Sequence, residues 1–220
     1  MATYIIITII SYLIGSVNFS VLISKKMAGF DVREKGSGNG GTTNVLRTVG
    51  KKAAALTLLA DIFKGIFAVL IAWFIGNMKK ENVNGAILVQ LAGFAVVLGH
   101  TFPIFFGFRG GKGIATSLGI LLLLNWQIGL ICLIFAIALM AVTRMVSLGS
   151  IAAAVLFPVL TMFIHEHYLV HGNYIIFGII MAAFIIFNHR ANIKRIMSGT
   201  ENKLSFKSKN KEAEINKEEN

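Results

Sequence analysis

The sequence contains very little cysteine, proline and charge. Of its 220 residues one is cysteine, two are proline and 14% are charged, whereas 55% are hydrophobic. The single cysteine, Cys132, excludes an internal disulfide and a cysteine metal site. The scarcity of charge and a mean hydropathy of +0.74 exclude an ordinary soluble globular domain. We therefore predict an all-α, polytopic membrane protein.

Acidic residues are also scarce, with 10 Asp and Glu against 21 Lys and Arg, for a net charge of +11. The basic excess lies in loops and at the C-terminus, which is typical of membrane topology and attraction to lipid surfaces and not of nucleic-acid binding. Residues 203–220 alternate in charge and offer almost nothing to bury. We predict that they form a disordered cytoplasmic tail behind a membrane domain of residues 1–202.

Apolar stretches of about 20 residues can cross a bilayer as helices. The stretch 114–142 is too long for one comfortable crossing, and basic residues flank it at both ends. Because loops rich in Lys and Arg prefer the cytoplasm, it must go out and return, with a turn at Asn125 and Gln127. We predict seven transmembrane helices, with the N-terminus outside and the C-terminus cytoplasmic: 4–24, 53–76, 84–104, 114–124, 126–142, 149–165 and 172–187.

Three short segments interrupt this hydrocarbon with glycine, hydroxyl, amide and basic residues. They are GSGNGGTTNVLR at 36–47, GHTFPIFFGFRGGKG at 99–113 and NHRANIKRIMSGTE at 188–201. The predicted topology puts all three on the cytoplasmic side. They can then converge on one water-accessible site for phosphate groups beside the lipid.

The first segment combines flexible glycines with neutral donors and an arginine fork suited to phosphate. Its alternative interpretation is a flexible linker. In the second segment, glycines and a lysine precede a helix that opens at Ile114, where backbone amides and the helix dipole favour an anion. A nucleotide-binding P-loop is excluded because Phe106 and Gly113 stand where it needs Gly and Ser or Thr. The candidate phosphate-binding residues are Ser37, Asn39, Thr43, Asn44, Arg47, Arg109, Gly110, Gly111, Lys112 and Gly113.

The third segment places His189 and Asn192 on one helical face, although a basic stop-transfer cluster is its alternative interpretation. Ser147, at the next inner junction, offers a further phosphate contact. Asp61 and Lys64 lie three residues apart inside a predicted span, where mutual neutralisation and a functional role are equally compatible with the pattern. His165, His167 and His171 could suggest a metal site, but they fall on the opposite side, and we favour an interfacial polar loop and no metal.

These residues resemble the bacterial acyl-phosphate:glycerol-3-phosphate acyltransferases, the PlsY family, from about residue 1 to Glu201. The family patterns GSGN-x-G-x-TN-x-x-R, GH-x-x-P-x-F-x-x-F-x-GGKG and RH-x-x-NI-x-R-x-x-x-G-x-E occur here in the same order. Two positions depart from the family: Asn188 replaces a usual arginine, and Asn18 stands where proline is common.

The resemblance implies acyl transfer from a fatty acyl phosphate to the 1-hydroxyl of glycerol 3-phosphate, at the cytoplasmic face of the bacterial inner membrane and without a cofactor. It assigns catalytic roles to His100, Lys112 and Ser37. It also assigns glycerol 3-phosphate contacts to Ser37, Arg47, Lys112, His189 and Asn192, and acyl-phosphate contacts to the 110–113 backbone. Membrane lipid is the expected partner, and nucleic acid is not. An organophosphate permease or channel is the alternative function.

Overall fold

The computed structural model describes residues 1–79, 83–164 and 174–204. The described residues form α-helices and short 3-10 turns and contain no strand, which confirms the predicted all-α class. The helices are α1 (Ala2–Gly15), α2 (Phe19–Ala28), α3 (Thr42–Thr48), α4 (Lys51–Met78), α5 (Gly85–Thr101), α6 (Ile114–Leu124), α7 (Trp126–Thr143), α8 (Val146–Leu160), α9 (Ile175–Asn188) and α10 (Arg190–Met197).

Four helical stretches in the described part of the chain are long and apolar enough to cross a membrane: 2–28, 51–78, 85–106 and 126–143. A fifth arises if α9 and α10 are counted together, although they meet at a bend of 62°. The other two predicted spans correspond to the apolar helices α6 and α8, which are shorter. At ~1.5 Å per residue, α6 extends only about 16 Å against a hydrocarbon core of about 30 Å. Seven crossings therefore remain a proposal.

The first apolar stretch is broken, whereas the sequence predicted one helix over 4–24. α1 ends at Gly15 and α2 begins at Phe19. Asn18 lies between them in an extended conformation, and its side chain accepts the N–H of Val21 at 3.3 Å, which caps α2. The break brings Asn18 against Gly40 in the first polar segment.

The ambiguous stretch 114–142 is split as predicted. Asn125 is extended, with φ −153° and ψ 96°, and separates α6 from α7. Its side-chain oxygen accepts the N–H of Ile128 at 3.0 Å and so caps α7. One residue of suitable chemistry is therefore enough to end one helix and begin the next.

Two helix pairs approach so closely that only glycine fits between them. A side chain at Gly15 or Gly99 would collide with the backbone of the other helix in the α1 and α5 pair. Gly65 and Gly119 do the same for α4 and α6. These contacts hold the end of α1 against the end of α5 and the middle of α4 against α6.

The C-terminal third differs in detail from the prediction. α8 begins at Val146 instead of 149 and ends at Leu160, shortly after Pro158, and α9 begins at Ile175. The three histidines of the predicted interfacial loop and residues 205–220 of the predicted tail lie outside the described residues. Leu204, near the start of the predicted tail, donates its N–H to the carbonyl of Arg144 at 2.8 Å.

Candidate active site

The three polar segments meet at one end of the helix bundle, as their chemistry predicted. The N–H of Gly40 donates to the carbonyl of Gly110 at 3.1 Å, which joins the first segment to the second. The Lys112 ammonium donates to the side-chain oxygen of Asn192, which joins the second to the third. Nη2 of Arg47 lies 3.4 Å from the carbonyl oxygen of Asn202, just beyond the third segment.

Asn44 orders the loop that contains the first polar segment through hydrogen bonds from its side chain to the backbone. Its Oδ1 accepts the N–H of Ser37 at 2.9 Å, and its Nδ2 donates to the carbonyls of Val32 and Lys35 at 2.8 and 3.0 Å. Asn44 is buried, and its amide is fully occupied by backbone. It therefore orders the loop that carries Ser37, whereas the sequence suggested that it contacts substrate.

Arg33 forms a clamp, which the sequence analysis missed, between the chain just before the first polar segment and the second polar segment. Nε and Nη2 of Arg33 donate to the two carboxylate oxygens of Asp31 at 3.0 and 2.8 Å. Nη1 of Arg33 donates to the carbonyls of Phe106 and Arg109 at 2.6 and 2.9 Å. The hydrogen bond from Arg33 holds the pKa of Asp31 below its ordinary value, although partial burial opposes the shift. An Asp-x-Arg spacing is too common in loops to signal this clamp.

The second loop is folded back onto the end of α5. The N–H groups of Gly110 and Gly111 donate to the carbonyls of Thr101 and His100, both at 3.1 Å. These two N–H groups, which the sequence suggested for a backbone phosphate cradle, are therefore engaged by the end of α5. The N–H groups of Lys112 and Gly113 have no partner among the described residues. Gly113 precedes α6 with φ +86°, a left-handed conformation that favours glycine.

His100 lies buried behind this loop. A methyl group on Gly111 would overlap its Nε2, so the imidazole lies against the face of Gly111. On its other side, Nδ1 of His100 lies 3.4 Å from Oδ1 of Asp61, which is 2.8 Å from the Lys64 ammonium. The Asp61 and Lys64 pair, for which the sequence left two readings open, is therefore in direct contact with a candidate catalytic residue.

Glu201 organises the third segment. Its Oε1 accepts from the Ser147 hydroxyl at 2.9 Å and from Nδ2 of Asn192 at 2.8 Å, and its Oε2 accepts from Nε of Arg195 at 2.9 Å. Burial alone would raise the pKa of Glu201, but these hydrogen bonds hold it below its ordinary value, so the carboxylate is ionised. The Ser147 hydroxyl is directed to this carboxylate, and its predicted phosphate contact stays a prediction.

Three cationic side chains surround the carboxylate of Glu201: those of Arg47, Lys112 and Arg195. We refer to these three residues, together with Glu201 and Asn192, as the cationic cluster. Burial lowers the pKa of Lys112 to about 8, with Glu201 opposing the shift and Arg195 and Arg47 adding to it. Burial likewise lowers the pKa of Arg47 from its ordinary value. The cluster therefore holds more positive than negative charge in a partly desolvated place, which is the electrostatic requirement of an anion site.

His189 and Asn188 connect the end of α9 to the same region. Nδ1 of His189 lies 2.8 Å from the carbonyl oxygen of Ile185, and the side chain is buried. Nδ2 of Asn188, at the position where the family pattern has arginine, lies 3.5 Å from the hydroxyl of Thr101. A carbonyl oxygen can only accept, so the hydrogen bond to Ile185 requires the proton of the neutral His189 ring on Nδ1 and leaves Nε2 without one.

The remaining predicted site residues make few side-chain contacts with the rest of the site. The side chains of Asn39 and Thr43 are half-buried and make no hydrogen bond to other described residues. Arg109 is exposed, and its carbonyl, not its guanidinium, takes part in the Arg33 clamp. Ser37 is also exposed, in the loop held by Asn44.

Known proteins are similar to this chain in sequence and in fold. The profile of the family described as glycerol-3-phosphate acyltransferase matches residues 5–199. A glycerol-3-phosphate acyltransferase of Clostridioides difficile (strain 630) is 43% identical over 205 residues, covering 93% of this chain and 97% of the relative. A crystal structure of PlsY, an integral membrane glycerol 3-phosphate acyltransferase, in its glycerol 3-phosphate form, has a TM-score of 0.80 at 34% identity. That match covers 92% of this chain and 96% of the other. The lysophosphatidic acid form of PlsY has a TM-score of 0.79 at 33% identity and covers 92% of this chain and 95% of the other.

Proposed function

Because the chain belongs to the glycerol-3-phosphate acyltransferase family, we propose that it transfers a fatty acyl group from an acyl phosphate to the 1-hydroxyl of glycerol 3-phosphate. The products are lysophosphatidic acid and inorganic phosphate. The enzyme is an acyltransferase of phospholipid synthesis in a membrane. The cationic cluster carries the proposal, because an acceptor that is itself a phosphate ester needs such a site beside lipid.

The chemistry requires positioning more than activation. An acyl phosphate is a mixed anhydride, so its carbonyl carbon is already electrophilic. The 1-hydroxyl oxygen attacks this carbon, the bond between the carbon and the phosphate oxygen breaks, and the hydroxyl proton leaves with the phosphate. A covalent acyl-enzyme is not needed. Holding two phosphates in the correct relative orientation and stabilising the developing negative charge account for most of the required acceleration.

The glycerol 3-phosphate phosphate group occupies the cationic cluster in this proposal. Arg47 supplies a planar fork and Lys112 a point charge, and both are partly desolvated. Ser37, His189 and Asn192 orient the glycerol, and Asn39, Thr43, Arg109 and Ser147 complete the surroundings of the two substrates. Asn192 already bonds Lys112 and Glu201, so it fixes the ammonium in place before the substrate arrives.

The acyl phosphate binds at the start of α6. The backbone N–H groups of Lys112 and Gly113 lack partners among the described residues and lie beside the helix N-terminus. Lys112 then stands between the two phosphates, which is why we keep it with Ser37 among the catalytic residues. His100, which the resemblance also counts as catalytic, supports the loop from behind. The acyl chain extends between helices into lipid.

The topology is part of the same proposal. Seven crossings place the N-terminus outside and the three polar segments at the cytoplasmic face of the bacterial inner membrane. The seven crossings include the short helices α6 and α8, around which the bilayer would have to thin. Glycerol 3-phosphate then enters from the cytoplasm and the acyl donor from the inner leaflet.

The test is a reconstituted assay with palmitoyl phosphate and labelled glycerol 3-phosphate. We expect labelled lysophosphatidic acid and one equivalent of phosphate, with no product from palmitoyl-coenzyme A in a parallel reaction. Lys112→Met, which keeps the aliphatic stem and removes the charge, is the matched inactive control. Product from the coenzyme A ester alone would refute the proposed donor, and no product from either donor would refute the proposed reaction.

A further inference from the structure

The buried polar groups behind the glycine loop suggest a role that the reaction itself does not assign. Asp61, Lys64 and His100 are 2%, 5% and 5% exposed, respectively, and we refer to them as the neutral triad. Asp61 and Lys64 come from the middle of α4 and His100 from the end of α5. A charge in such a place needs a partner, and each of these groups has one.

The Lys64 ammonium is held from two sides. It lies 2.8 Å from Oδ1 of Asp61 and donates to the carbonyl of Val17 at 3.0 Å. Val17 lies in the break between α1 and α2, where the carbonyl groups lack part of their helical hydrogen bonding. Lys64 therefore neutralises Asp61 and satisfies the broken helix, so helix packing explains Lys64 fully.

Helix packing does not explain the second contact of the carboxylate. Oδ1 of Asp61 also faces Nδ1 of His100 at 3.4 Å. Oδ1 of Asp61 is buried and has no hydrogen-bond partner of regular geometry among the described residues, so it is open to accept one. Because a carboxylate oxygen can only accept, the tautomer of His100 that suits this contact carries its proton on Nδ1. The other nitrogen, Nε2, lies against Gly111, whose N–H donates to the carbonyl of the same histidine. The ring is thus fixed between a carboxylate and the glycine loop.

The glycine loop is where this fixation has a consequence for the reaction. A methyl group on Gly111 would also lie 2.9 Å from the carbonyl oxygen of Gly40, so Gly111 is enclosed between the His100 ring and the first polar segment. Lys112 and Gly113 follow directly. A rotation of the imidazole would therefore shift the backbone at the start of α6.

We propose that Asp61 is a positioning residue: by accepting from Nδ1 of His100, it fixes the imidazole that holds Gly111 and, through it, the acyl-phosphate end of the site. The proposal rests on the proposed function only for its kinetic consequence. The tautomer and orientation of His100 are properties of the protein in the absence of substrate.

Two double variants separate positioning from charge neutralisation. Removing one partner alone would leave a buried unpaired charge and risk unfolding, so Lys64→Met accompanies each change. Asp61→Asn with Lys64→Met keeps an acceptor oxygen facing Nδ1, and Asp61→Leu with Lys64→Met removes it with little change in volume. Both variants lose the contact to Val17 equally, which makes them a matched pair.

The first readout is the tautomer of His100, from long-range proton–nitrogen NMR spectra of protein labelled at its five histidines. The signal is assigned by its absence in His100→Gln. We expect a proton on Nδ1 in the unaltered protein and in the Asn variant, and a shift to Nε2 in the Leu variant. His189, whose Nδ1 faces the carbonyl of Ile185, is the internal control and should not change. A proton on Nε2 in the unaltered protein, or identical spectra for the two variants, would overturn the proposal.

The second readout is kinetic. We expect the Leu variant to raise the KM for palmitoyl phosphate at least about tenfold relative to the Asn variant, with the KM for glycerol 3-phosphate changed less than about twofold. Equal values for the two variants would show that Asp61 acts only by neutralising Lys64. If the unaltered protein forms no product, the proposed function fails while the NMR result still decides the role of Asp61.

Discussion

The cationic cluster and the neutral triad are two groups of buried charge with opposite constructions. In the cluster, Arg47, Lys112 and Arg195 surround one carboxylate, that of Glu201. In the triad, Asp61 and Lys64 form a pair 2.8 Å apart that lies beside His100. The cluster comes from three loops and helix ends, whereas the triad comes from the interiors and ends of long helices.

The two constructions indicate two roles: the cluster binds substrate, and the triad supports the loop between them. Excess positive charge in a partly buried place is costly unless an anion arrives, so the cluster is incomplete without its ligand. The triad needs no outside charge, because the Asp61 carboxylate is already neutralised by the Lys64 ammonium. Perturbing the cluster should therefore weaken substrate binding, and perturbing the triad should alter the geometry of the loop between them.

Gly111 is the junction of the two regions, and changing it should have the largest effect. In Gly111→Ala the methyl group would overlap Nε2 of His100 and lie 2.9 Å from the carbonyl oxygen of Gly40. We expect kcat/KM for palmitoyl phosphate to fall about 100-fold, the scale expected when a reacting group is displaced by about 1 Å.

Gly41→Ala is the control for that variant, because its methyl group meets only Oδ1 of Asn39 at 3.3 Å and the Cα of Gly111 at 3.9 Å. We expect a clearly smaller loss there. Equal losses in the two variants would show that any added side chain disturbs these loops and that the contact with His100 has no special importance.

Arg47→Lys tests the cluster with a smaller change. The substitution keeps the charge and removes the planar fork that can bind two phosphate oxygens. Loss of one charge-assisted hydrogen bond should raise the KM for glycerol 3-phosphate about tenfold. The KM for palmitoyl phosphate should change much less, and comparable changes in both would mean that Arg47 does not belong to one substrate alone.

The pH dependence of the cluster should be the mildest effect. Because the pKa of Lys112 is lowered to about 8, its positive charge is present below that pH and is lost as the pH rises through it. The phosphate of glycerol 3-phosphate, with a second pKa of about 6, is doubly ionised throughout. Between pH 7 and 8.5, kcat/KM for glycerol 3-phosphate should therefore fall about fourfold.

Lys112→Arg supplies the matched control for the pH profile, because a guanidinium stays charged over this range. Its profile should be flat between pH 7 and 8.5, whatever its absolute activity. A fourfold fall that persists in this variant would assign the titration to another group.

The sequence allowed much of this arrangement to be predicted, and the reasons are local. The basic residues at both ends of the stretch 114–142 required the chain to cross the membrane twice there. Asn125 marked the break between α6 and α7, since a capping side chain acts on its own neighbours. The convergence of the three polar segments followed from their shared chemistry and predicted side. The family resemblance narrowed the function further, through three long patterns in a fixed order.

What escaped prediction depends on contacts between distant residues. The break at Ser16–Asn18 interrupts a stretch whose apolar composition alone indicates one continuous helix. The N–H groups of Gly110 and Gly111 are occupied because α5 ends directly beside them, which glycine content cannot reveal. Likewise, the Arg33 clamp joins residues more than 70 positions apart. Asn44 lies in a donor-rich part of the first polar segment, yet its amide faces inward to the backbone.

The most direct measurement is the affinity of the protein for glycerol 3-phosphate alone, by equilibrium dialysis without an acyl donor. It compares the unaltered protein with Arg47→Met and Lys112→Met from the cluster and with the Asp61→Asn, Lys64→Met double variant from the triad. The account predicts that each cluster variant raises the Kd at least about tenfold and that the triad variant leaves it within about twofold. Unchanged affinity in both cluster variants, or an equal loss in the triad variant, would contradict the assignment of the phosphate to the cationic cluster.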